Sequence, residues 1–141
     1  MKNISKYISY QEATTSQTAT RKAILNAPSD KELICMQLVG IRVFDAIREH
    51  FGTPLRVSSF FRCLLLNNAV GGSKTSQHCK GQAIDIQGTG KVSNKMIFDY
   101  IKENLDFDQL IWEFGNEENP AWVHVSYVSK EKNRKQILTI K

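Results

Sequence analysis

Two short stretches of this 141-residue chain hold residue types that can do chemistry. SKTSQHCKGQAIDIQ (73–87) carries His78 and Asp85, seven residues apart, and WVHVSY (122–127) carries His124. Both end in strand-like patterns, and side chains along a strand alternate between two faces. In AIDI, Ile84 and Ile86 form an apolar face and Asp85 lies with Ala83 on the other. In WVHVSY, Val123 and Val125 form the apolar face, and His124 is displayed between Trp122 and Ser126. If these strands pair, Asp85 and His124 meet on one surface, and His78, just before a glycine-containing bend, folds over it. Two imidazoles and a carboxylate give a three-ligand zinc site with a fourth position open to water, the catalytic rather than structural pattern. The same donor set also serves iron. The bland alternative is a surface-loop histidine and an ordinary strand histidine.

Other groups bear on such a site. A water-activating metal needs a general base. Glu113, in QLIWEF, shares a face with Gln109 and Ile111 and comes near His124 if the two strands form a hairpin. Glu117 and Glu118 fall in the turn-rich GNEENPA between those strands and read as solvated, although either can swing toward a metal. Arg62 sits between an apolar strand and an apolar helical turn, so its charge calls for a partner. That partner is Asp85, another carboxylate, or a substrate carboxylate held by the guanidinium fork. Ser76 is placed to bond the same group. Cys79 is a weak nucleophile candidate: adjacent side chains point apart in extended chain, so His78 makes a poor base for it and His124 is the alternative. Gly71-Gly72 lacks the lysine-serine ending of a phosphate loop and reads as a turn.

The elements that must position these groups follow from periodicity. Ser9 and Glu12 have the spacing of a capping box before a short helix from Tyr10. Ser29 and Glu32 mark a stronger start. The recurrence of Leu33, Ile34, Leu38, Ile41, Phe44 and Ile47 predicts a helix to about His50, stopped by Gly52 and Pro54. Residues 55–61 read as a strand, 64–69 as a short helix, 83–86 as a strand and 93–105 as an amphipathic helix. Three strands follow, 109–114, 122–127 and 136–140. Helices first, then strands mixed with helices, predict an α+β fold: one domain spanning 1–141, with N-terminal helices on a small antiparallel sheet.

Composition narrows the function. Apolar residues make up 41% and charged residues 23%, a globular balance. No apolar run approaches a membrane span, so membrane insertion is not expected. The net charge of +5 includes a cluster at Lys130–Lys135, read as a solvated turn or a contact for an anionic partner. No nucleic-acid-binding motif is visible. Three cysteines are too few for a disulfide framework, and Cys35, inside an apolar helical pattern, reads as core. The N-terminus lacks the apolar stretch of a signal peptide.

Taken together, VSSFFRCLLLNNAVGGSKTSQHCKGQAIDI and WVHVSY resemble the D-alanyl-D-alanine carboxypeptidase-like family of zinc peptidases. That family includes the L-alanyl-D-glutamate endolysins of phages and shares its fold with the Hedgehog signalling domain. The matching positions are Arg62, Asn67 to Gly72, Ser76, His78, Gly81, Ala83, Asp85 and His124, and the segment from about Tyr7 also looks like the family's short single-domain branch. The resemblance implies a Zn2+ ion on His78, Asp85 and His124, with Arg62 and Ser76 engaging substrate. Many members carry an acid three residues before the last histidine, where this chain has Ala121. The Hedgehog-like arrangement places a glutamate on the preceding strand instead, which matches Glu113, with Glu118 as runner-up. Phe60 stands where a glycine is common and is expected to narrow the cleft. The implied function is hydrolysis of peptidoglycan stem peptides, as carboxypeptidase or endopeptidase, by a monomer. The expected setting is cytoplasmic synthesis and release to the wall as a phage or prophage lysin, or else a cytoplasmic dipeptidase. A zinc-binding wall or partner module without catalysis is the alternative that Ala121 supports.

Overall fold

The computed structural model describes residues 3–141. Five strands form one sheet in the order β1-β2-β4-β3-β5: β1 Arg56–Ser59, β2 Ala83–Gln87, β3 Gln109–Glu113, β4 Trp122–Ser126 and β5 Gln136–Ile140. The helices are α1 Tyr10–Thr14, α2 Gln17–Arg21, α3 Asp30–Val39, α4 Asp45–Phe51, α5 Leu64–Ala69 and α6 Asn94–Asn104. The fold is α+β, as the element order predicts. Four strands are antiparallel, but β5 joins the edge parallel to β3. The cause is the connection 127–135, which crosses the start of β3 and drops the chain on its far side. A strand that reverses β4 but skips over β3 must run parallel to β3.

Local chemistry explains the helix starts. Ser9 and Ser16 each accept a backbone N–H through their side chains, from Glu12 and Ala19. Ser29 and Glu32 form the complete reciprocal box that opens α3. These caps satisfy donors left orphaned in the first turn. Between α3 and α4 the chain passes through a π-helical turn, Gly40–Phe44, without breaking. The helix stops at Gly52, which is left-handed.

The predicted helix forms, but its buried face is not the stripe of residues that marked it. Of the residues at helical spacing in this helix, Phe44 and Ile47 are buried, but Ile34, Leu38 and Ile41 are exposed. The helix turns Met36, Val39, Val43, Phe44 and Ile47 to the sheet instead. Both faces are apolar, so spacing alone does not choose between them. Cys35 is half-buried rather than core.

The core lies between the helices and one face of the sheet. Ile84 and Ile86 of β2, Val123 and Val125 of β4, and Leu110 of β3 pack there against Ile97 and Ile101 of α6. Each of these side chains is essentially fully buried, worth about 1.5–3 kcal/mol apiece relative to exposure. That burial fixes the register, because a one-residue slip would turn every isoleucine and valine outward. The opposite face of the same strands carries the polar residues considered next.

Candidate metal centre and cleft

Register places Asp85 directly opposite His124 across β2 and β4, and Ile111 opposite His124 across β3 and β4. The alternation predicted for AIDI and WVHVSY therefore holds, and the strands do pair. His78 arrives from a 3-10 turn, Gln77–Lys80, capped by the Ser76 hydroxyl, which accepts the His78 backbone N–H at 3.2 Å. Gly81 closes the turn with φ +72°, and a Cβ there would lie 2.5 Å from the Glu32 carbonyl oxygen of α3. Both facts demand glycine: the backbone is left-handed, and the turn must press against the helix.

The three side chains converge. His78 Nε2 is 3.3 Å from Asp85 Oδ2, and His124 Nδ1 is 3.1 Å from Asp85 Oδ1. One ligand atom from each of the three lies within 4.8 Å of the others. Ligands at about 2.0–2.2 Å from a tetrahedral ion sit roughly 3.3 Å apart, so these spacings suit one ion. His78 is 2% exposed, and its other nitrogen, Nδ1, lies 2.7 Å from the Phe60 carbonyl oxygen. Donation from Nδ1 to that carbonyl leaves Nε2 as a lone pair aimed at the centre, the outer contact that orients metal-binding histidines. Phe60 thus acts through its backbone, and its side chain lies in the core rather than narrowing the cleft. Burial pushes the Asp85 carboxyl up, but the charges and hydrogen bonds of His78 and His124 together outweigh it and hold the group below the usual carboxylate range. The residues present fit a borderline divalent ion such as zinc.

These groups line an open cleft of about 720 Å³. Glu113 lines it too, two residues along β3 from Ile111, and its carboxylate accepts the Trp122 indole N–H. Beyond Glu113, Phe114 takes φ +56° and packs edge-on against Trp122 at 5.3 Å. Glu118 lies exposed in the 115–121 turn, where its N–H is held by Asn116 Oδ1. Arg62 lines the cleft beside Ser76, with Nη2 3.5 Å from the Ser76 oxygen. Asp85 is engaged by the two histidines rather than by Arg62, so the Arg62–Asp85 pairing does not form. The Arg62 Nε is buried without a protein partner. Cys79 is half-buried, and burial pushes its thiol up against a smaller opposing effect of Arg62, which argues against a thiolate nucleophile.

One participant comes from the basic cluster Lys130–Lys135, which the sequence marks only as a group. Arg134, from the basic cluster, lines the cleft and forms a bidentate pair with buried Asp108. Asp108 also accepts the Gln77 side-chain N–H at 2.9 Å, beside His78. The Arg134 hydrogen bonds lower the Asp108 carboxyl to about 2, against the opposing effect of burial. The basic cluster is the one sequence signal, and neither Gln77 nor Asp108 is near Arg134 in sequence.

Fold and site together define a candidate mononuclear metal centre at the floor of an open cleft, the layout of a hydrolase. The family model for Peptidase M15 matches residues 6–126, and the chain belongs to that peptidase family. No curated protein matches the chain significantly. Among the described residues, no helix is long and apolar enough to cross a membrane.

Proposed function

We propose that this chain is a zinc-dependent peptidase acting on the stem peptides of bacterial peptidoglycan, as a D-Ala-D-Ala carboxypeptidase or an L-Ala-D-Glu-type endopeptidase. The observation that carries the reading is the convergence of His78, Asp85 and His124 in a cleft that Glu113 and Arg62 also line, within a Peptidase M15 chain. A zinc ion held by the three ligands would supply Lewis acidity toward a peptide carbonyl and an attacking water.

The chain's own groups do the rest. Glu113 takes the proton from the attacking water and returns it to the leaving amine. Trp122, donating to the Glu113 carboxylate, holds that base in one orientation. Arg62 binds an anionic group of the substrate, using a guanidinium whose Nε lacks a protein acceptor. Ser76 accepts from the His78 backbone and from Arg62, which leaves its O–H free to donate to substrate. Glu118 is the runner-up base, supported less because it stands in the exposed turn. The working unit is a monomer with one domain over 1–141, released to the wall as a phage or prophage lysin.

Chelation tests the reading. Muropeptide hydrolysis should vanish after metal removal and return with one zinc per chain. Hydrolysis that survives full chelation would sink it. Ala121, in place of the acid common in relatives, keeps a non-catalytic zinc-binding wall module as the second reading. That module would bind zinc and muropeptides yet cleave none.

A further inference from the structure

We propose that Arg134 is a second carboxylate-binding residue of the cleft, so that the preferred substrate is a peptide carrying a free carboxylate near the scissile bond in addition to the group held by Arg62. The proposal rests on the peptidase reading above and names its substrate class more closely. Arg134 lies beyond the segment matched to the family, in the connection from β4 to β5.

The guanidinium is fixed in place. Its Nε donates to Asp108 Oδ1 at 2.9 Å, its Nη2 to Oδ2 at 2.8 Å, and the Arg134 backbone N–H also donates to Oδ1 at 3.0 Å. The Asp108 side chain is 2% exposed, whereas that of Arg134 is 57% exposed and lines the cleft. A guanidinium has five N–H donors in a planar fork. Asp108 occupies the Nε/Nη2 edge. The Nη1/Nη2 edge is left for a second carboxylate, which it can grip bidentately. With its anionic partner buried behind it, Arg134 presents positive charge forward. Because the side chain is already held, binding through it forfeits little rotamer freedom.

Position sets the substrate. Asp108 precedes Gln109, and Ile111 stands opposite His124, so the metal row and the Arg134 anchor are three residues of strand apart, roughly 10 Å. An extended peptide in the cleft advances about 3.3 Å per residue. A carboxylate about three residues along an extended peptide from the scissile carbonyl, or nearer where its own side chain adds length, therefore reaches Arg134. Arg62 serves a different group, because its backbone N–H donates to the His78 carbonyl and its guanidinium stands beside Ser76, whereas the Arg134 fork is tied to Asp108. Glu113, which lines the cleft along with the metal-facing Asp85, lies at the opposite end of β3.

The test uses stem peptides in pairs that differ only in whether the glutamyl α-carboxyl is free or amidated. N-methylated backbone amides make one set uncleavable, and its dissociation constants are measured with zinc-loaded protein, following the Arg134 Nε–H signal by NMR. The free-carboxyl peptide should bind about tenfold tighter or more, the usual scale of a charge-assisted bond. Arg134→Gln should bring the ratio near one, Arg134→Lys should lose most of it, and Arg62→Gln should weaken both peptides while leaving the ratio. A purely structural Arg134–Asp108 pair predicts lower stability and an unchanged ratio. Equal binding of the two peptides by wild type, or a preference kept by either folded Arg134 variant, overturns the proposal. If the unmethylated peptides are not cleaved but the binding preference is present, the peptidase reading fails and the carboxylate site stands.

Discussion

Trp122 and Glu113 face each other across the β3–β4 pair, and the indole N–H of the first donates to the carboxylate of the second. The bond ties the one cleft glutamate on a strand to the strand that carries His124. It makes Glu113 a rigidly aimed group rather than a mobile surface acid. Trp122→Phe keeps the ring and removes the donor. We expect turnover to fall about tenfold, on the scale of one hydrogen bond to a charged group, with zinc content unchanged. Steady-state kinetics alongside metal analysis checks this, and unchanged turnover would show that the bond does not position the base.

The three candidate ligands should act as a set. His78→Ala, Asp85→Ala or His124→Ala should each abolish stoichiometric zinc binding, because each removes one of three donors around a single centre. Calorimetric zinc titration of each folded variant reads this directly. Retention of wild-type affinity in any one would remove that residue from the set.

Gly81 should be intolerant of any side chain. Its φ of +72° and the 2.5 Å approach of a Cβ to the Glu32 carbonyl place strain and a clash at the turn that delivers His78. Gly81→Ala should cost at least about 1–3 kcal/mol in urea unfolding. It should also weaken zinc binding, since the turn that presents His78 must shift.

Asp108 should mark the acid limb of stability. Its folded-state carboxyl is depressed from 3.8 to about 2, chiefly by the Arg134 hydrogen bonds. A depressed acid stabilises the fold above its unfolded value and loses that contribution as pH falls through the folded value. Wild type should therefore lose stability between pH 3.8 and about 2 relative to Asp108→Asn, and the variant should be less stable at neutral pH. Chemical denaturation at a series of pH values measures the difference, and parallel profiles would contradict it.

The parts of this site that could be read from sequence are those governed by short-range periodicity. Alternation in AIDI and WVHVSY puts Asp85 and His124 on the face away from the valines and isoleucines, and the register confirms it. Capping residues located the start of α3. Two other features depend on what lies across space. The continuous helix from α3 through the π-helical turn has two apolar faces, and only its packing against the sheet decides that Met36 and Val39 go in while Ile34 and Ile41 stay out. The parallel edge of β5 follows from where a nine-residue connection lands. The Phe60 carbonyl and the Gln77–Asp108–Arg134 chain are likewise tertiary contacts between separate segments, with no local pattern to announce them.

The central claim is metal-dependent hydrolysis with Glu113 as the base. The most direct measurement is mass spectrometry of purified muropeptides incubated with zinc-loaded wild type and with Glu113→Gln of equal zinc content. The account predicts one defined peptide bond cleaved by wild type, and turnover about 10²–10⁴-fold lower in the variant. Intact muropeptides with zinc-loaded wild type, or equal cleavage by the variant, would contradict it.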